Sequence, residues 1–136
     1  MRHIKVVAAL IGREGEVLVQ KRPATKTRAA LWEFPGGKLE PGEDAPAALV
    51  RECREELGVE VEVGPEVWST SHRYEDAPRA TEVQLRLFRC QLVGGTPAPL
   101  ERQELRWVEP RRLSDLPFVA ADIPVLELLA SGEIPI

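Results

Sequence analysis

Residues 44–58, DAPAALVRECREELG, admit one local structure and dictate what must surround it. Asp44 is a favoured helix N-cap, Pro46 is tolerated in a first turn whose N–H groups have no partner to lose, and Gly58 suits the left-handed residue that ends a helix. At about 100° per residue, Leu49, Val50, Cys53 and Leu57 fall within an arc of roughly 100°, and Glu52, Glu55 and Glu56 occupy a separate arc of about the same width. The first stripe needs an apolar surface to lie on. The second sets like charges three and four residues apart, a repulsion of a few tenths of a kcal/mol per pair. Either water solvates that face or a cation offsets it.

The flanking segments supply the apolar surface. Ile4 to Ile11 is a near-continuous apolar run, and GREGEVLVQKR reads as a turn followed by a second strand, so the chain opens with a hairpin. KRPATKTRAALW is polar, basic and turn-prone, and reads as a loop. Strands are expected at about Glu60 to Ser69 and from Thr81 to Leu92, where Val83, Leu85 and Leu87 alternate with Gln84 and Arg86. GGTPAP is a turn, Leu105 to Val108 a short strand, Arg111 to Leu116 a helical turn, and Ile123 to Ser131 a C-terminal helix. Strands mixed with two helices, without repeats or an internal linker, predict an α/β fold, an α/β/α sandwich around a mixed β-sheet. At 136 residues the chain is one domain's worth, so a single domain over 1–136 is expected.

Composition narrows the class of partner. A net charge of −4 and an isoelectric point near 5.3 argue against DNA or RNA polymers. A single nucleotide stays possible, because a metal ion supplies the positive charge that the protein lacks. Cys53 and Cys90 sit in apolar patterns and read as reduced core thiols, too few for a disulfide framework or a zinc site. The opening MRHIKVVAALIGREGE has the look of a signal peptide, but Arg13 and Glu14 interrupt it and the run continues into the hairpin. No stretch approaches the roughly 20 apolar residues of a membrane span. A cytoplasmic enzyme or binding protein, monomer or homodimer, is the expectation.

Three carboxylates gathered on one helix face suit a hard divalent cation such as Mg²⁺ or Mn²⁺, which takes oxygen ligands and keeps several waters. Gly36 and Gly37 just ahead of the helix let backbone carbonyls approach such an ion. Glu43 and Arg51 flank the cluster with opposite charges, suited to bracing loop against helix.

Gly37, five residues, Glu43, seven residues, then Arg51-Glu52-Cys53-Arg54-Glu55-Glu56-Leu57-Gly58-Val59 resembles the Nudix box of the Nudix hydrolases. Cys53 is the one departure, standing where the family usually carries a larger aliphatic residue. The resemblance implies the Nudix fold and a divalent metal, Mg²⁺ or Mn²⁺, held by Glu52 and Glu56 directly, by Glu55 directly or through water, and by the Gly36 carbonyl. It implies Gly37, Glu43, Arg51 and Gly58 as the structural brace of the box, and Lys38 as a phosphate contact or a surface lysine. The implied reaction converts a nucleoside triphosphate to a monophosphate and pyrophosphate, with Glu55, Glu56 and a loop glutamate as catalytic residues.

LWEFPGGK at 31–38, Glu101-x-Gln103-x-x-x-Trp107 and AADIPVLELL at 120–129 are similar to the MutT branch, which includes 8-oxo-dGTP diphosphatases and CTP pyrophosphohydrolases. Glu101 matches that branch's loop glutamate near the metals, with Glu104 competing. Arg22 and Phe34 match positions lining the base site, with a surface arginine and ordinary core as the plain alternatives. Asp122 stands where the best-known pattern has Asn. An ionised carboxylate only accepts hydrogen bonds whereas an amide also donates, so Asp122 keeps cytosine nucleotides open as substrates; as the N-cap of the last helix it has a purely structural alternative. His3 and His72 read as strand-surface residues, Trp32 and Trp107 as core. The leading expectation is a nucleotide-pool sanitising 8-oxo-dGTP diphosphatase. The alternatives are a CTP or 5-methyl-dCTP pyrophosphohydrolase, an ADP-ribose or nucleotide-sugar enzyme, and a nucleotide sensor without turnover.

Overall fold

The computed structural model describes residues 1–75 and 79–136. The chain opens with the expected hairpin: β1 (Arg2–Arg13) and β2 (Glu16–Lys21) pair antiparallel through Gly12–Val17 and Arg13–Glu16. Glu14 and Gly15 between them both take positive φ, 51° and 80°, the two-residue turn whose twist matches that of the flanking strands. Beyond this end the two strands part. β1 runs parallel to β6 (Thr81–Gly94) and takes β4 (Gly36–Lys38) along Val6–Ala8, whereas β2 pairs with β3 (Trp32–Glu33) and β7 (Glu104–Val108). β5 (Glu60–Tyr74) closes the sheet against β6, giving the order β3-β2-β1-β6-β5 among the described residues, with β4 and β7 attached to β1 and β2.

Alternation along β1 sends residues to two cores. Val7, Ala9 and Ile11 pack with Leu49, Cys53 and Leu57 of α1 (Ala45–Leu57), and Ala8 and Leu10 pack with Val125, Leu126 and Leu129 of α2 (Ile123–Ala130). The helices therefore cover opposite faces of the mixed sheet, the α/β/α sandwich that the pattern predicts. In α1 the buried stripe is Ala45, Ala48, Leu49, Cys53 and Leu57, with Val50 at its edge. Asp44 accepts a hydrogen bond from the Ala47 N–H at 2.8 Å, and Gly58 ends the helix at φ 68°. Burial pushes both Cys53 and Cys90 up to about 12, as inert core thiols require.

Three local differences from the sequence reading have physical reasons. β5 continues to Tyr74 rather than stopping near Ser69, because its ladder with β6 persists; the register shifts around Gly64 and Pro65 absorb residues that cannot fit a regular ladder. β3 and β4 arise within a segment whose two- and three-residue strands carry no readable period. Asp122 does not cap α2: its backbone is helical and its side chain makes no cap hydrogen bond. No helix among the described residues is long and apolar enough to cross a membrane.

Candidate active site

Where β1 and β2 part, a cleft of about 780 Å³ opens, with β4, the outward edge of α1, the loop before β7 and the start of α2 around it. Its walls include Arg22, Phe34, Gly36, Gly37, Lys38, Glu52, Glu55, Glu56, Glu101 and Asp122. Glu104 lies outside it, paired on the surface with Arg106 at 3.1 Å. The volume is of the size that takes a small organic ligand.

The helical register grades the three glutamates by depth. Glu55 is exposed, Glu52 half-buried and Glu56 buried at 6% exposure, on the flank of the core stripe. The sequence reading has the three carboxylates converging on one spot. In the structure they do not form a closed cage, and no such group of acidic, histidine or cysteine side chains occurs among the described residues. Arg51 draws two of them outward, contacting Glu52 at 2.8 Å and Glu55 at 3.3 Å through one guanidinium nitrogen. Glu56 is held inward: the Gly36 N–H donates to its Oε1 at 3.1 Å and the Gln20 amide to its Oε2 at 3.5 Å.

Arg51 also grips the preceding loop. Its Nε and a terminal nitrogen reach both Glu43 oxygens, at 2.7 and 2.9 Å, and it donates to the Lys38 carbonyl at 3.1 Å. That bidentate pair lowers the Glu43 carboxyl below its ordinary range. Lys38 itself is exposed at the rim.

The electrostatics of the floor favour a cation. Burial first, then the negative charges of Glu52 and Glu33, push Glu56 up to about 8. Burial also raises Glu52 against the lowering effect of Arg51, with Glu55 and Glu101 adding to the rise. Hard carboxylate oxygens under mutual repulsion at the bottom of a cleft fit a divalent cation, which relieves both the desolvation and the repulsion.

The two glycines are sterically required. A Cβ on Gly36 would stand 2.0 Å from the Val7 carbonyl oxygen, and one on Gly37 would stand 2.3 Å from the Glu52 carboxyl carbon. Since the Glu52 side chain can swing where the backbone cannot, Gly37→Ala is expected to displace the carboxylate and leave the fold intact. A loss of roughly tenfold in turnover with an unchanged melting temperature is the expected result; a fully active variant would show that the placement of Glu52 is immaterial.

At the other end of the cleft Asp122 is buried at 4% exposure, and its Oδ2 accepts from the Phe34 N–H at 3.3 Å. Burial and Glu33 push it up to about 8, opposed by the Phe34 N–H and by Arg22. Phe34 is both wall and core: its ring centroid is 5.6 Å from that of Phe118. Arg22 is not a free surface arginine, being paired with Glu33 at 2.9 Å and bonded to the Thr27 carbonyl at 2.7 Å. Tyr74 accepts from the Ala121 N–H at 2.9 Å beside Asp122, and Arg28 stacks over its ring at 4.0 Å.

Glu33, Gln20 and Gln103 are site residues to which the sequence reading assigns no role. Gln20 had a legible signal, a polar residue at the end of the buried run Val17–Val19 of β2. Gln103 was visible only as a member of the Glu101-x-Gln103-x-x-x-Trp107 spacing and Glu33 only within LWEFPGGK, neither with a role, because Gln20, Glu56 and Arg22, which they meet, come from other elements.

The NUDIX domain pattern matches residues 1–129. The chain is 45% identical to the CTP pyrophosphohydrolase of Escherichia coli over 127 residues, 93% of this chain and 91% of the relative. It is 40% identical to the putative 8-oxo-dGTP diphosphatase 2 of Mycobacterium tuberculosis, covering 86% of this chain and 81% of that one. Among solved structures, the E. coli ORF135 protein superposes with a TM-score of 0.74 at 42% identity, over 98% of this chain and 93% of that chain.

Proposed function

Because this chain belongs to the Nudix family and is a Nudix pyrophosphohydrolase, we propose that its substrate is a nucleoside triphosphate, read at Asp122 and cleaved beside Glu52, Glu55 and Glu56. Hydrolases of this family generally work with divalent metal ions on small nucleotides. The observation that carries the reading is the single cleft with stressed carboxylates at one end and a buried Asp against an aromatic wall at the other.

Glu52, Glu55 and Glu56, with the Gly36 carbonyl, supply oxygen ligands suited to Mg²⁺, or Mn²⁺ in its place. When bound, the ion polarises the diphosphate bridge and acidifies a water. The chain's own groups do the rest. Arg51 pins Glu43 and the Lys38 carbonyl to the helix, so the ligand-bearing strand β4 and α1 keep a fixed separation. Lys38 at the rim meets phosphate charge. Glu101, half-exposed and in the same cleft, takes the proton of the attacking water as a P–O bond of the bridge breaks, giving a nucleoside monophosphate and pyrophosphate.

At the base end a neutral Asp122 presents an O–H donor beside an acceptor oxygen. Cytosine offers the complementary pair, a ring nitrogen acceptor next to an amino donor, and the 45% identical relative is a CTP pyrophosphohydrolase. The second reading is 8-oxo-dGTP, whose oxidised ring also sets an N–H beside a carbonyl; the M. tuberculosis relative named for that substrate supports it. The test is pyrophosphate release with Mg²⁺ from CTP, dCTP, 5-methyl-dCTP, 8-oxo-dGTP, dGTP and ADP-ribose, compared by kcat/KM. A cytosine nucleotide at the head supports the first reading, 8-oxo-dGTP well above dGTP the second, and ADP-ribose at the head overturns both. No turnover of any of them favours a sensor without catalysis.

A further inference from the structure

Glu101 has little to hold its own side chain in place. The side chain is 44% exposed, and among the described residues it faces Lys26 Nζ at 4.0 Å, too long for a firm ion pair. Its position depends on its backbone, which lies in the loop between β6 and β7. That loop is tied to the end of α1 by three donors onto helix carbonyls: the Ala98 N–H to Leu57, the Leu100 N–H to Glu56 at 3.1 Å, and the side-chain amide of Gln103 to Glu56 at 2.9 Å. Gln103 is 5% exposed, and its other amide atom, Oε1, accepts from the N–H of Glu101 itself at 2.9 Å.

We propose that Gln103 is a positioning residue for hydrolysis, its one side-chain amide clamping the backbone of Glu101 to the backbone of Glu56. The two bonds fix the amide's orientation without ambiguity, because the Glu56 carbonyl can only accept and the Glu101 N–H can only donate. No other residue type of that length serves both: a methionine has neither function, and an ionised glutamate has no donor. The clamp is also held from behind, since the Gln103 amide donates to Gln20 Oε1 at 3.4 Å and Gln20 is 3% exposed. The Gln20 amide in turn reaches Glu33 at 3.3 Å and Glu56 at 3.5 Å. A buried polar row of this kind keeps its geometry because each member would be left unsatisfied by moving.

The inference rests on the reading of Glu101 as the proton acceptor, and a double-mutant cycle separates the two. Gln103→Met keeps the volume and removes both bonds; kcat is expected to fall roughly tenfold with the substrate KM changed little. Glu101→Gln is expected to fall further. Adding Gln103→Met to Glu101→Gln should then cost much less than Gln103→Met costs the parent, because the clamp acts chiefly through the group already removed, with only the bonds through Gln20 to Glu56 left to lose. Losses that multiply, or a Gln103→Met enzyme with normal kcat beside an impaired Glu101→Gln enzyme, overturn the clamp and leave Glu101 its role. A normal kcat for Glu101→Gln overturns both. Should thermal melts show that Gln103→Met does not fold, Gln103→Glu enters the same cycle: it keeps the acceptor for Glu101 and loses the donor to Glu56, so its kcat as a ratio to the parent's at the same pH should recover as falling pH protonates it, and a ratio that stays flat counts against the clamp.

Discussion

Replacing Glu56 by Gln is expected to lower kcat by about a thousandfold or more while the melting temperature stays level or rises. The magnitude follows from removing a charge that a metal and its activated water depend on, in a site where one well-placed electrostatic contact is already worth a factor of about 100 to 1,000. The stability half of the expectation comes from burial. Desolvation, Glu52 and Glu33 together hold the Glu56 carboxyl at about 8, so an ionised Glu56 is a cost to the fold that an amide does not carry. Against that gain, the new amide turns an NH₂ toward either Gly36 N–H or the Gln20 NH₂, both of which now donate to Glu56. Pyrophosphate release, a thermal melt and Mg²⁺ titration calorimetry on the same preparation read all three effects. Near-normal turnover, or Mg²⁺ affinity equal to that of the parent, would remove Glu56 from the metal site.

The same residue marks how far a sequence carries the argument. The helix from Asp44 to Gly58 was legible because its signals are local: a cap, a stripe and a left-handed stop within fifteen residues, all present in the structure. The spacing placed three glutamates on one arc but could not grade them, since Glu56 is buried by strands far away in the chain while Glu55 faces solvent. Nor could spacing show that Arg51 would occupy Glu52 and Glu55 from the outside. Resemblance favoured Glu101 over Glu104 but spacing could not decide between them, because which one meets the cleft depends on a loop turn at Arg102, held at φ 61°. Gln20, Glu33 and Gln103 show the same limit in another form: a glutamine or glutamate is ordinary in a sequence and becomes informative only when its partners 13, 36 and 83 residues away are known.

Asp122 carries the second large expectation, and its sign can be worked from the folded state. The carboxyl is raised from 3.8 to about 8, by burial first and by Glu33 next, with the Phe34 N–H and Arg22 opposing. Between those two values the folded chain holds a proton that the unfolded chain has lost, so this group's contribution to stability is full below about 4 and falls away as pH rises to about 8. Asp122→Asn should remove that part of the pH slope of the melting temperature. Recognition should follow the same titration: below about 8 the side chain both donates and accepts, above it only accepts, and the KM of the preferred nucleotide rises on the alkaline side. In Asp122→Asn the amide oxygen takes over the bond from Phe34 N–H and the NH₂ replaces the acid proton, so KM stays level through that range. Asp122→Ala offers neither function, and discrimination between the preferred base and its nearest competitor should fall by roughly a hundredfold or more. The three enzymes compared by kcat/KM from pH 6 to 9.5 decide the matter. If Asp122→Asn keeps the alkaline rise in KM, the titrating group lies elsewhere, and if Asp122→Ala keeps its base preference, the base is read by Glu33 and Arg22 rather than by Asp122.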